Sequence, residues 1–81
     1  MSSFEIFSGK LADQGLELRK QWEVKREQHT VAHYLVYGKQ KQHLELIVQH
    51  WPNDEYNCFF PSTSNKIDDD VAAIVGEAVE T

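Results

Sequence analysis

Four histidines, one cysteine and three consecutive aspartates are the side chains of this sequence best suited to chemistry. A zinc site needs three or four converging ligands, usually at short spacings such as C-x-x-C or H-x-x-x-H. His29 and His33 have the second spacing. They fall on an expected turn and strand, where residues i and i+4 do not converge as they do on a helix. Asp68-Asp69-Asp70 lacks the D-x-[DN]-x-[DN]-G loop of a calcium site and reads instead as the acidic start of a helix. No metal and no cofactor is expected, and His33 reads as a half-buried, hydrogen-bonded strand residue.

Catalytic patterns are equally sparse. A thiol beside an imidazole could act as nucleophile and base. Cys58, however, stands inside Tyr56-Asn57-Cys58-Phe59-Phe60, where a lone cysteine reads as apolar packing. Ser62, Thr63 and Ser64 lie in a loop without a nucleophile-elbow motif, and no glycine-rich phosphate loop occurs. No catalytic residue is assigned, and the chain is not expected to be an enzyme. Arg19, Lys20, Lys25 and Arg26 near Trp22 could form an RNA patch, since RNA readers set aromatics on a sheet. The register below puts Trp22 on the core face, and direct nucleic-acid binding is not expected.

The element that must position everything else is residues 31–51. Two runs rich in β-branched and apolar residues flank Gly38-Lys39-Gln40-Lys41, the pattern of a β-hairpin. Residues 16–25 alternate, with Leu16, Leu18, Trp22 and Val24 in one row broken by Lys20, a strand with one wet face. Arg26–His29 is the turn between them. For residues 1–14, Ser2 with Glu5 fits a capping box, and Phe4, Phe7 and Leu11 share a helical face. A helix ended by Gly15 is favoured, with a short strand over Phe4–Ser8 as the alternative. Residues 61–67 form a loop. Val71, Ile74, Val75, Ala78 and Val79 then form a helical stripe behind the three aspartates.

Pairing Val24 with Val31, Leu35 with Leu44, and Trp51 with Tyr56 gives one mutually consistent register. Face A then holds Leu16, Leu18, Trp22, Val24, Val31, Leu35, Tyr37, Leu44, Leu46, Val48 and Phe59, under the C-terminal helix. Face B holds Tyr34, Val36, Ile47, Trp51, Tyr56 and Phe60, with Ala32 and Cys58. The expected fold is α+β: a four-stranded antiparallel β-meander, a C-terminal helix packed on one face, and a short N-terminal helix. Residues 1–81 form a single domain.

Charge divides the chain. Residues 1–44 carry seven basic and five acidic side chains; residues 45–81 carry eight acidic side chains and Lys66 alone. The acidic half disfavours contact with phosphates. A single cysteine excludes an intrachain disulfide, and no apolar run reaches membrane-spanning length. Neither a signal peptide nor a membrane contact is expected, which favours a cytoplasmic protein.

Face B is too apolar to meet only water. Either the N-terminal segment covers it, or it is an interface. The leading expectation is a protein-interaction module working through Tyr34, Val36, Ile47, Trp51, Tyr56 and Phe60, with a protein partner and most simply a homodimer. The second is a small acidic inhibitor, of the kind mobile elements encode, that blocks a basic nucleic-acid-binding site through Asp54, Glu55, Asp68, Asp69 and Asp70.

Overall fold

The first helix is set by its two ends. In the computed structural model, which describes residues 2–61 and 69–80, α1 spans Ser3–Asp13. The Ser2 hydroxyl accepts from the Glu5 amide at 3.1 Å, satisfying one free amide of the first turn. At the far end Gly15 takes φ 76°, a left-handed conformation that costs glycine little. The Gly15 amide donates to Ala12 O and the Leu16 amide to Leu11 O, each at 2.9 Å. That pair of bonds is a Schellman closure, and its apolar contact is present in buried Leu11 and Leu16. The strand alternative for Phe4–Ser8 is thereby excluded.

Four strands follow: β1 Glu17–Lys25, β2 Thr30–Gly38, β3 Lys41–His50 and β4 Tyr56–Phe59. They form one antiparallel sheet in the order β1-β2-β3-β4, and α2 spans Asp69–Glu80. The architecture is the expected α+β meander with a helix at each end of the chain. Asp68 and residues 62–67 of the expected loop lie outside the described residues.

The hairpins close tightly. Arg26 N donates to His29 O at 2.7 Å between β1 and β2. Lys39 and Gln40 turn β2 into β3 with φ 53° and 62°, the two positive values that a type I′ hairpin needs. Gly38 must stay small, because a Cβ there would lie 2.9 Å from Leu16 Cδ2 and 3.3 Å from Gly15 O. The end of α1 and the end of this hairpin meet across that glycine.

The observed register corrects the expected one at two bulges. Near the first turn Val24 pairs with Val31 and Trp22 with His33, but Lys20 pairs with Tyr34 and Leu18 with Val36, leaving Gln21 extra. Near the second turn Gly38 pairs with Lys41 and Tyr37 with Gln42, but Val36 pairs with Leu44, leaving His43 extra. A one-residue slip exchanges the two faces of a strand. Leu35 therefore pairs with Glu45 instead of Leu44, and Tyr34 with Leu46. The β3–β4 loop is one residue longer than expected, pairing Tyr56 with His50 instead of Trp51.

Both helices consequently lie on the same side of the sheet. Phe7 and Leu11 of α1 and Val71, Val75 and Ala78 of α2 join Ala32, Tyr34, Val36, Leu44, Leu46 and Val48 in one core. The alternative in which the N-terminal segment covers the face opposite the C-terminal helix is corrected. They share the even-numbered face of β2 and β3, and no described residue covers the other face.

Candidate functional site

The uncovered face is ordered in rows that run across the strands. Trp22, His33, Ile47 and Phe59 form one row from edge to edge. Beside it on the turn side stand Val24, Val31, Gln49 and Asn57; on the other side stand Arg19, Leu35 and Glu45. Beyond these, Glu17 pairs with Tyr37. The rows exist because residues i and i+2 of a strand share a face, and because the Gln21 bulge turns Trp22 and Val24 away from the helices.

The two row ends are the most open large apolar side chains of the sheet: Trp22 is 47% exposed and Phe59 46%, with Val24 at 40%. Trp22 lies flat against the His33 ring, with centroids 5.6 Å apart and planes 8° off parallel. His33 Nε2 stands 3.5 Å from Glu45 Oε2, while His33 Nδ1 is buried without a hydrogen-bond partner. The Arg19 guanidinium lies 3.9 Å from the Tyr37 ring centroid and pairs with Glu17. Hydrogen bonding to the Glu17 side chain, the largest cause, raises the Arg19 pKa, so Arg19 stays cationic. Arg19 and Glu45 thus each have a neighbour on this face, among the apolar side chains of Trp22, Val24, Val31, Leu35, Ile47 and Phe59.

Of the residues expected to form the interaction surface, Ile47 lies in one of these rows. Tyr34 and Val36 are buried beneath the helices, and Tyr56 and Phe60 pack against the same core. This is a correction with two causes: the bulge at His43 sets the even-numbered residues of β2 on the helix side, and the one-residue shift of the β3–β4 pairing does the same for Tyr56 and Phe60. Phe4 is the hub of the cover. Its ring lies 5.5 Å from Tyr34, 4.6 Å from His50 and 5.8 Å from Tyr56. Burial raises the pKa of Tyr34 and of Tyr56, which keeps both phenols neutral. Trp51 lies beyond β3, half-buried and stacked on His29 at 5.1 Å.

The acidic residues are dispersed in role. Asp54 is bound to Ser3 at the start of α1. Glu55 is exposed in the same loop, and Asp69 and Asp70 are exposed in the first turn of α2. Asp68 lies outside the described residues. The histidines are dispersed too: His29 on Trp51, His33 on Trp22, His50 against Phe4, and His43 with Nε2 3.2 Å from Gly38 O. Cys58 packs against the core, where burial pushes its thiol up to about 12.

Trp22, Val24, Val31, Leu35 and Phe59 were missed as surface residues. A period-2 pattern shows which residues share a face only while the register is unbroken, and neither bulge carries a glycine to mark it. Among the described residues no helix is long and apolar enough to cross a membrane. No family model, curated protein or solved structure matches this chain.

Proposed function

We propose that this chain is a non-enzymatic protein-interaction module whose contact surface is the uncovered sheet face. The observation that carries this reading is the row Trp22-His33-Ile47-Phe59, flanked by Val24, Val31 and Leu35, on a face that neither helix covers. A contiguous apolar patch of this kind is costly to leave in water and typically marks an interface. Large aromatic side chains at its ends supply the anchors from which interfaces draw most of their energy.

RNA is the other ligand that uses aromatics on a sheet. Trp22 does lie on the open side, against the expectation that it faces the core. The charge of the face disfavours that use. Arg19 is the only Lys or Arg among its strand residues, against Glu17 and Glu45, whereas nucleic-acid affinity is dominated by cations on phosphate.

Affinity capture from the native host lysate tests the module. The wild-type chain is expected to retain a protein, its own copy or another, that Trp22→Asp/Phe59→Asp loses while its circular dichroism is unchanged. Equal capture by both chains would refute this function.

A further inference from the structure

We infer that the occupant of this face is a second copy of the chain, related by a twofold axis parallel to the strands and midway between β2 and β3. This inference rests on the interaction-module reading and names its partner.

The pattern of the face is self-complementary about that axis. The rotation exchanges β1 with β4 and β2 with β3 and keeps every row in place. Trp22 then lies over Phe59 of the second copy, and His33 over Ile47, each contact occurring twice as an isologous interface demands. The exposed ring at each end of the row meets a ring of the opposite end. Two sheets so stacked run nearly parallel, about 10 Å apart, with the roughly 30° offset that sheet twist imposes.

Charge selects this axis over the alternative. Arg19 and Glu45 stand in one row with Leu35 between them. The parallel axis brings Arg19 of one copy over the β4 side of the other, one strand away from Glu45. β4 ends at Phe59, so among the described strand residues none stands beside Glu45 on that edge. The parallel axis sets Glu45 on Leu35 of the second copy but keeps Arg19 one strand away to offset its desolvation. An axis perpendicular to the strands would set Arg19 on Val24 and Glu45 on Gln49, with no opposite charge of the second copy beside either.

The area is adequate. Four strands about 4.8 Å apart and four rows about 6.6 Å apart cover roughly 500 Å² in plan before side-chain relief is counted. A stable interface of ordinary size takes about 800 Å² of accessible surface per partner. The face therefore suits a small, concentration-dependent homodimer of helix–sheet–sheet–helix layering.

Sedimentation equilibrium and cross-linking test the arrangement. The full chain is expected to dimerise with rising concentration. In a Cys58→Ala background, Val24→Cys mixed with Asn57→Cys should give a covalent dimer with a short bis-maleimide. Val24→Cys alone should not, because its two copies lie on opposite edges about 14 Å apart laterally. With Cys58 retained, Arg19→Glu should weaken the dimer by about tenfold, and Arg19→Glu/Glu45→Arg should restore it. A strict monomer, efficient self-cross-linking of Val24→Cys, or failure of the charge swap to restore association would each overturn the proposal. A monomer whose captured partner still depends on Trp22 would overturn the dimer and leave the interaction module standing.

Discussion

Asp54 binds Ser3 three times. Its carboxylate accepts from the Ser3 amide at 2.9 and 3.1 Å and from the Ser3 hydroxyl at 3.0 Å. The β3–β4 loop thereby caps α1 from 51 residues away, placing negative charge at the positive end of the helix dipole. The same first turn carries Phe4, whose ring closes over Tyr34, His50 and Tyr56. The cap thus fixes where the cover of the helix-side face begins.

Asp54→Ala should lower unfolding free energy by about 1 kcal/mol, the ordinary worth of a helix cap. Asp54→Asn should cost less. It keeps one acceptor oxygen, and asparagine tolerates the φ of 68° found at this position. Urea denaturation of the two variants checks the order, and equal losses would show that the carboxylate contributes nothing.

His50 makes stability depend on pH. Burial, the largest cause, holds its imidazole below the ordinary value of 6.5, outweighing the Glu23 carboxylate that raises it; Lys20 lowers it further. Above about pH 6.5 the ring is neutral folded or unfolded, so its contribution is fully present. As pH falls below that value the unfolded chain takes the proton first, and stability is lost until the folded ring also titrates. His50→Gln should flatten this part of the profile. The measurement is the shift in urea midpoint between about pH 7.5 and about pH 5.5; an identical shift in both proteins would exclude His50 as its source.

Cys58 behaves in the opposite sense. Burial pushes its thiol from 9.0 up to about 12, so the folded state holds the proton more tightly. Its contribution to stability is present below about pH 9 and is lost as pH rises toward 12. Since the thiolate is the nucleophile, native Cys58 should react with a disulfide reagent at neutral pH some two to three orders of magnitude more slowly, as an order-of-magnitude figure, than after unfolding. A native rate equal to the unfolded rate would show that the thiol is open to solvent.

The elements were legible in the sequence because each has a local signature. Ser2 with Glu5 marked the start of α1, Gly15 its end, and the alternation over 16–25 a strand. Pairing near each of the first two turns also followed, since the turn fixes it: Val24 opposite Val31, Gly38 opposite Lys41. The faces were not legible beyond the bulges. Gln21 and His43 are ordinary polar strand residues, yet each adds one residue to its strand and reverses which side its neighbours occupy. Lys20 was the one hint. It interrupts the apolar row Leu16, Leu18, Trp22, Val24 at the place where that row divides between two faces.

That division can be tested by deletion. Gln21 is exposed, and its side chain donates to Arg19 O at 3.2 Å. Removing it brings Lys20, opposite Tyr34, next to Trp22, opposite His33. The ladder becomes regular, and Leu18 stays on the helix side while Trp22 stays on the open side. The deletion should therefore change stability by no more than about 1 kcal/mol. An unbroken alternation, with Trp22 and Leu18 on one face, requires the contrary: the same deletion would throw Leu16 and Leu18 out of the core and cost several times as much. Urea unfolding followed by far-ultraviolet circular dichroism separates the two. A severe loss would mean that β1 runs without a bulge, and Trp22 would then belong to the core and not to the open face.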